Sequence, residues 1–272
     1  MTRADVAGKV VLITGAAGGL GAALCRRYAA AGARVAAMDI HADPSAEGPP
    51  DGASRLLRIS GPNAGNIADP AACVAAVSQT MEHFGALDVL INNAGISHRS
   101  LLHSTDVAVI RRVMEVNFFG AMQMTHASLP HLVRSRGTVA AVSSVAGFAP
   151  LYGRTGYAAS KHALHGFFDS LRTEVAAQGV RVCLVCPSFI ATGIGASALG
   201  GQGQAVAGKR VTAGGESDPD DIAQRILEAL SGGQNLLLPD QTSRLAWWVN
   251  KLAPAFYARP MRRRVSAEFT SL

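Results

Sequence analysis

The sequence predicts an α/β fold: a doubly wound parallel sheet with helices on both faces. Three observations carry that expectation. Short apolar, β-branched runs alternate with helical stretches roughly every 25 to 45 residues, the spacing of strand–helix–strand units. A glycine cluster lies between the first such run and the first helix. Gly15, Asp39, Asn92, Ser144 and Pro187 all fall at the carboxyl ends of predicted strands, where sheets of this kind bind ligands.

Taken in order, Lys9–Thr14 is the first strand, a buried β-branched run. Gly15-Ala-Ala-Gly18-Gly19-Leu20-Gly21 then turns the chain into an alanine-rich helix that reaches Ala31. In that context glycines let the backbone approach a pyrophosphate, and the helix N-terminus supplies donors and a favourable dipole. Ala33–Asp39 is the second strand and ends in an acid. At that place in a dinucleotide fold, Asp39 accepts both hydroxyl hydrogens of the adenosine ribose and repels a 2′-phosphate. A turn or cap aspartate is the plainer account. From His41 to Pro70 the chain is rich in Pro, Gly, Asp and Asn, with Arg55–Ile59 as third strand and a long loop over Ser60–Gly65. Asp69-Pro70 suits an N-cap followed by a first-turn proline.

Asp88–Ile91 is the fourth strand and runs into Asn92-Asn93-Ala94-Gly95. A long helical stretch from about Thr105 to Arg134 carries Asn117, and Gly137–Ser144 is the fifth strand. Tyr157 and Lys161, four residues apart, share one helix face. A neighbouring ammonium favours the phenolate, so a phenol of ordinary pKa about 10 becomes a proton carrier near neutral pH. Alone, such a pair is far more often a half-buried tyrosine and a solvated lysine. Val180–Pro187 is the sixth strand, Ser217–Asp221 caps a helix to about Leu230, and Asn235–Leu238 is the seventh strand. Gly193–Gly215 holds eight glycines, too many for a stable helix. It suits a mobile flap over a substrate, or a plain surface loop.

From Lys9 to Leu238 these residues resemble the short-chain dehydrogenase/reductase family. Thr14-Gly15-x-x-x-Gly19-x-Gly21 is similar to its cofactor loop, and Asn92–Gly95 to its central-strand motif. Ser144 stands at the family spacing before Tyr157, Tyr157-x-x-x-Lys161 is the family signature, and Asn117 fits the fourth catalytic position. The resemblance implies a Rossmann fold and a catalytic tetrad of Asn117, Ser144, Tyr157 and Lys161. Tyr157 would exchange a proton with the substrate oxygen while hydride moves to or from a nicotinamide. Lys161 would hold the nicotinamide ribose and favour the phenolate, and Ser144 would stabilise charge on the substrate oxygen. Asn117 would kink its helix and hold a water that relays protons to Lys161. Ser143, one residue off register, turns to the other strand face.

For the cofactor the resemblance implies Gly15, Gly19, Leu20 and Gly21 at the phosphates, Asp39 at the ribose, and Asn66 with Ile67 toward the adenine. Asn93, Ala94 and Gly95 follow, then Tyr157 and Lys161, and Pro187, Ile190 and Thr192 at the nicotinamide end. NAD is expected over NADP because of Asp39. Two places depart from the family pattern. Asn66 stands where an aspartate is usual, and Pro187-Ser188 replaces Pro-Gly, with a more restricted backbone at Ser188.

The candidate substrate pocket is Ser144, Phe148, Tyr152 and Phe189, joined by Ile96, Ser97 and Leu151. Its apolar character favours a hydrophobic secondary alcohol or its ketone. His98 and Arg99 are expected as solvated loop residues. An NADPH-linked oxoacyl reductase, the rival in the same fold, calls for a basic residue before Gly19 or after Asp39, where Gly18 and Ile40 stand. A non-catalytic nucleotide-sensing protein calls for a broken tetrad, and this one is intact.

At 272 residues, 49% apolar and 16% charged, the chain can bury one large core. It divides into one sheet domain over 1–240 and a basic amphipathic extension over 241–272. No apolar run reaches about eighteen residues, so no membrane span is expected. The N-terminus enters a needed strand within ten residues, so no signal peptide is expected either. Cys25, Cys73, Cys183 and Cys186 lie in apolar segments and read as buried thiols, with no metal. Of the net charge of +6, +5 falls from Arg244 onward, which argues against a nucleic-acid face on the main body. A cytoplasmic homodimer or homotetramer acting on a small molecule is expected.

In the extension, Thr242-Ser243 can cap a helix in which Leu245, Trp248, Val249 and Leu252 form an apolar stripe flanked by Arg244 and Lys251. Phe256, Tyr257 and Met261 then mix with Arg259 and Arg262–Arg264. The stripe either packs on the domain or a second subunit, or lies on an anionic membrane surface.

Overall fold

Alternation along the first strand sets the architecture. In β1 (Val10–Thr14) Val10 and Leu12 turn to one side of the sheet, Val11 and Ile13 to the other, and all four are buried. The computed structural model describes residues 6–41, 55–195, 197–206, 212 and 215–269. Gly208 and Gly214 of the glycine-rich stretch and the last three residues lie outside these.

Seven parallel strands form one sheet in the order β3-β2-β1-β4-β5-β6-β7. The others are β2 (Arg34–Asp39), β3 (Leu56–Ser60), β4 (Val89–Asn92), β5 (Thr138–Val142), β6 (Arg181–Val185) and the short β7 (Leu236–Leu237). The order reverses between β1 and β4, so the crevice of a doubly wound sheet opens at their carboxyl ends.

On one face, α1 (Gly19–Ala30) packs against α6 (Pro219–Ser231), with Leu24, Ile222 and Ile226 on Val11, Ile13 and Val185. On the other face lie α2 (Pro70–Phe84), α3 (Val107–Met114), α4 (Gly120–Ser135) and α5 (Thr155–Glu174). Their Val77, Met124, Leu164 and Phe168 meet Leu12, Leu90 and Leu184. Each fully buried leucine of this kind stabilises by about 1.5–3 kcal/mol relative to an exposed one. Asp69 caps α2 by accepting from Ala71 N at 2.9 Å.

The helical stretch predicted from about Thr105 to Arg134 is present: α3 passes through a π-turn at Glu115–Phe119 into α4, and Asn117 sits in that turn, where the resemblance implied a kink. Two segments differ from the sequence expectation. The glycine-rich stretch is not a free loop throughout. Leu199 N donates to Ser97 O, Arg99 N to Leu199 O, and Asp106 N to Gly201 O, so these residues pair with the segment after β4. Composition could not reveal backbone partners supplied from 100 positions away. In the extension, α7 (Gln241–Leu252) is capped by Asp240, not by Thr242-Ser243. Asp240 Oδ1 accepts from Ser243 N at 2.7 Å in a capping box, and α8 (Pro254–Val265) follows.

Candidate active site

Close backbone approach shapes the loop after β1. Gly15 has φ +67°, and a Cβ there would fall 2.7 Å from the Cα of Ala94. A Cβ on Gly19 would fall 2.7 Å from Cγ2 of Thr192, so the loop faces the segment after β6 without intervening side chain. Gly18 is the N-cap of α1, with no side-chain cap and no acid in the first turn. The first N–H groups of α1 are therefore available to an anion. Thr14 Oγ1 accepts from Asn93 N and Ala94 N, both at 3.1 Å, while Asn93 Nδ2 donates to Thr14 O and Gly15 O. These bonds lock the ends of β1 and β4 together.

Asp39, at the end of β2, accepts from Ala17 N at 2.9 Å through Oδ2 and from His41 N through Oδ1. Its carboxylate thus braces the glycine loop from the side. Asn66 Oδ1 accepts from Ala68 N in the turn before α2, and Ile67 is buried beside Gly120. Leu20 is buried in the core under α1. Pro187 O accepts from Val145 N, and Ile190 pairs with Ser217.

At the ends of β4 and β5, Asn117, Tyr157 and Lys161 of the predicted tetrad come together. Lys161 is buried, donates to Val142 O at 2.8 Å, and holds its Nζ 5.7 Å from the ring centre of Tyr157. Burial pushes its pKa down to about 8. Asn117 Oδ1 accepts from Ile96 N at 2.8 Å, and its Nδ2 donates to Ile96 O and to Ser160 Oγ. A Cβ on Gly95 would lie 3.2 Å from Asn117 Oδ1 and 3.6 Å from Lys161 Nζ, which makes Gly95, Asn117 and Lys161 neighbours. Ser144 Oγ accepts from Ala146 N and faces a cavity. Ser143 faces away, with its Oγ donating to Lys161 O and 3.1 Å from His165 Nε2.

The cavity beside Ser144 has a volume of about 320 Å³. Leu151 and Phe189 line it, but so do Ala246 and Val249 of α7 and Tyr257 and Met261 of α8. The extension is therefore a wall of this cavity. Of the four predicted substrate residues, Ser144 and Phe189 line this cavity, whereas Phe148 and Tyr152 do not. Phe148 meets Trp247 edge-on at 4.9 Å, and Tyr152 meets Phe269 at 5.6 Å, so both hold the extension in place. Asp240 joins in: its Oδ2 accepts from Ser188 N at 2.9 Å, which ties the start of α7 to the end of β6.

His98 and Arg99 are buried, not solvated. His98 Nε2 accepts from Gly156 N at 2.8 Å, at the start of the helix that carries Tyr157, and Nδ1 lies 3.2 Å from Ser100 Oγ. Burial, with the nearby Arg154 charge second, pushes its pKa down to about 4, so the ring stays neutral and able to accept. No local pattern signals this role, because the partner lies 58 positions away.

The chain belongs to the short-chain dehydrogenase family, whose model matches residues 9–202, and it is an oxidoreductase of that family. Among individual proteins, it is 38% identical to dehydrogenase/reductase SDR family member 7B of Bos taurus, over 98% of this chain and 84% of that one. It is 35% identical to dehydrogenase/reductase SDR family protein 7-like of Anopheles gambiae, over 94% and 83%. A short-chain dehydrogenase of Burkholderia cenocepacia, solved in complex with NADP, superposes with a TM-score of 0.78 at 26% identity, covering 93% of this chain and 98% of the other.

Proposed function

We propose that the protein interconverts a hydrophobic secondary alcohol and its ketone, with NAD(H) as the preferred cofactor and Tyr157 as general acid and base. One observation carries this reading: a buried ammonium, Lys161, stands beside the Tyr157 ring at the carboxyl end of the sheet. When bound, a nicotinamide cofactor supplies the hydride acceptor or donor. Gly15, Gly19 and Gly21 would cradle its pyrophosphate, and Asp39 would take the ribose hydroxyls. Oxidation begins with the Tyr157 phenolate taking the alcohol proton, while Ser144 donates a hydrogen bond to the same oxygen. Lys161, cationic below about pH 8, favours the phenolate that this step needs. Asn117 holds the Ile96 backbone and Ser160, keeping the approach to Lys161 in place.

The apolar walls beside Ser144 support an apolar substrate, and Asp39 supports NAD. A cofactor with a 2′-phosphate is the competing choice, and it is the one bound in the Burkholderia cenocepacia structure. The test is a panel of secondary alcohols offered with NAD⁺ and with NADP⁺ to the purified chain. Turnover of apolar alcohols that prefers NAD⁺ is expected, and a clear NADP⁺ preference would overturn the cofactor assignment.

A further inference from the structure

We propose that the outward face of α7 and α8 docks on an anionic membrane surface, and that the cavity beside Ser144 draws its apolar substrate from there. The second half rests on the alcohol–ketone reading above.

Helix α7 has two apolar faces. Ala246 is buried and Trp247 meets Phe148, so this side packs on the domain. Leu245, Trp248 and Leu252, spaced i, i+3 and i+7, turn the opposite way and are 66%, 58% and 76% exposed. Phe256 on α8 is 76% exposed, and Arg259 and Arg263 follow it at the same spacing, both exposed. Single exposed apolar residues are ordinary on proteins, whereas a contiguous exposed set marks an interaction surface.

Two observations select a lipid surface as the occupant. From Gln241 to Val265 the sequence has five arginines and one lysine and no Asp or Glu. A segment so charged, with Arg259 and Arg263 on its exposed face, complements anionic lipid, whereas a symmetric pairing of two copies would set like charges together. The cavity also opens within the patch: Leu245 and Phe256 line it while most of their own surface faces solvent. An apolar molecule in the lipid interface would reach the cavity mouth without crossing water. Among the described residues no helix is long and apolar enough to cross a membrane, which leaves α7 and α8 lying in the interface.

The test uses the full chain with vesicles of phosphatidylcholine and phosphatidylglycerol at about 3:1, and pure phosphatidylcholine as control. Sedimentation gives binding. Trp247 and Trp248 are the two tryptophans of the chain, so a blue shift of emission reports Trp248 entering lipid. Binding to the anionic vesicles is expected, weakened roughly tenfold or more by high salt and by Arg259→Glu with Arg263→Glu. Trp248→Ser with Leu252→Ser, outside the cavity lining, should lose vesicle binding yet keep the wild-type rate on a short water-miscible alcohol. The same variant should be slower than wild type on a long-chain alcohol loaded into vesicles, and equal rates there would overturn substrate delivery. Absence of vesicle binding, or binding indifferent to both variants, would overturn docking. So would a dimer that Trp248→Ser with Leu252→Ser converts to monomers, which would give the face to a second copy. Vesicle binding is read without turnover, so inactivity toward every alcohol would sink the functional reading alone.

Discussion

Tyr157 and His98 sit at two ends of one short contact path. Tyr157→Phe removes the phenolic oxygen and keeps the ring. It should lower kcat by about 10²–10⁴ while cofactor affinity, measured by calorimetry, stays close to wild type. Near-normal kcat would assign proton transfer elsewhere. His98 holds Gly156 N, one residue before Tyr157, and does so as a neutral acceptor. Its folded pKa of about 4 lies below the ordinary value of 6.5, so between these the unfolded chain binds the extra proton. Stability contributed by neutral His98 is present above about pH 6.5 and is lost as pH falls toward 4. Urea titrations across that range should show a steeper acid decline in wild type than in His98→Gln, whose amide oxygen can still accept from Gly156. Parallel declines would remove His98 from this role. The motif pair Tyr157/Lys161 is legible because helical periodicity makes neighbours of residues four apart. The His98 contact is not, since it joins a loop to a helix start through the fold.

At the scale of elements, the end of β2 and the glycine loop act as one unit through the Asp39–Ala17 bond. NAD should exceed NADP in kcat/KM by roughly tenfold or more, about 1.4 kcal/mol. Asp39→Asn should shrink that ratio because the repulsion of a 2′-phosphate disappears, and an unchanged ratio would place cofactor choice in another residue. Asp240 plays a comparable part between β6 and α7, serving as helix cap and as acceptor for Ser188 N. Asp240→Ala should cost about 0.5–2 kcal/mol for the cap. It should also raise KM for apolar substrates more than it lowers kcat, because α7 walls the cavity; thermal melts and steady-state kinetics read the two effects. Strands and capped helices could be anticipated from local runs, as Asp69-Pro70 illustrates. Local pattern could not place the kink at Asn117, which only the family resemblance implied, because its hydrogen bonds to Ile96 and Ser160 come from outside its helix.

For the whole molecule, the extension joins the domain at both ends: Trp247 on Phe148, and Phe269 on Tyr152. A chain ending at Asp240 would lose the buried Ala246, Val265 and Phe269, uncover Phe148 and Tyr152, and open the cavity beside Ser144. We expect a lower Tm and loss of activity on apolar alcohols; an unchanged Tm would mean that the extension contributes no stability. By itself the sequence determined the parallel sheet, the motifs that end its strands, and membership of the short-chain dehydrogenase family. Those features rest on local periodicity and on short motifs whose members lie within a few turns. Only the tertiary structure decided that α7 carries one apolar stripe inward and another outward. A helical period tells which residues share a face, but what that face meets depends on surfaces brought together from distant parts of the chain. The same reason applies to the cavity, whose walls come from the ends of β5 and β6 and from an extension that follows them at a distance in the chain.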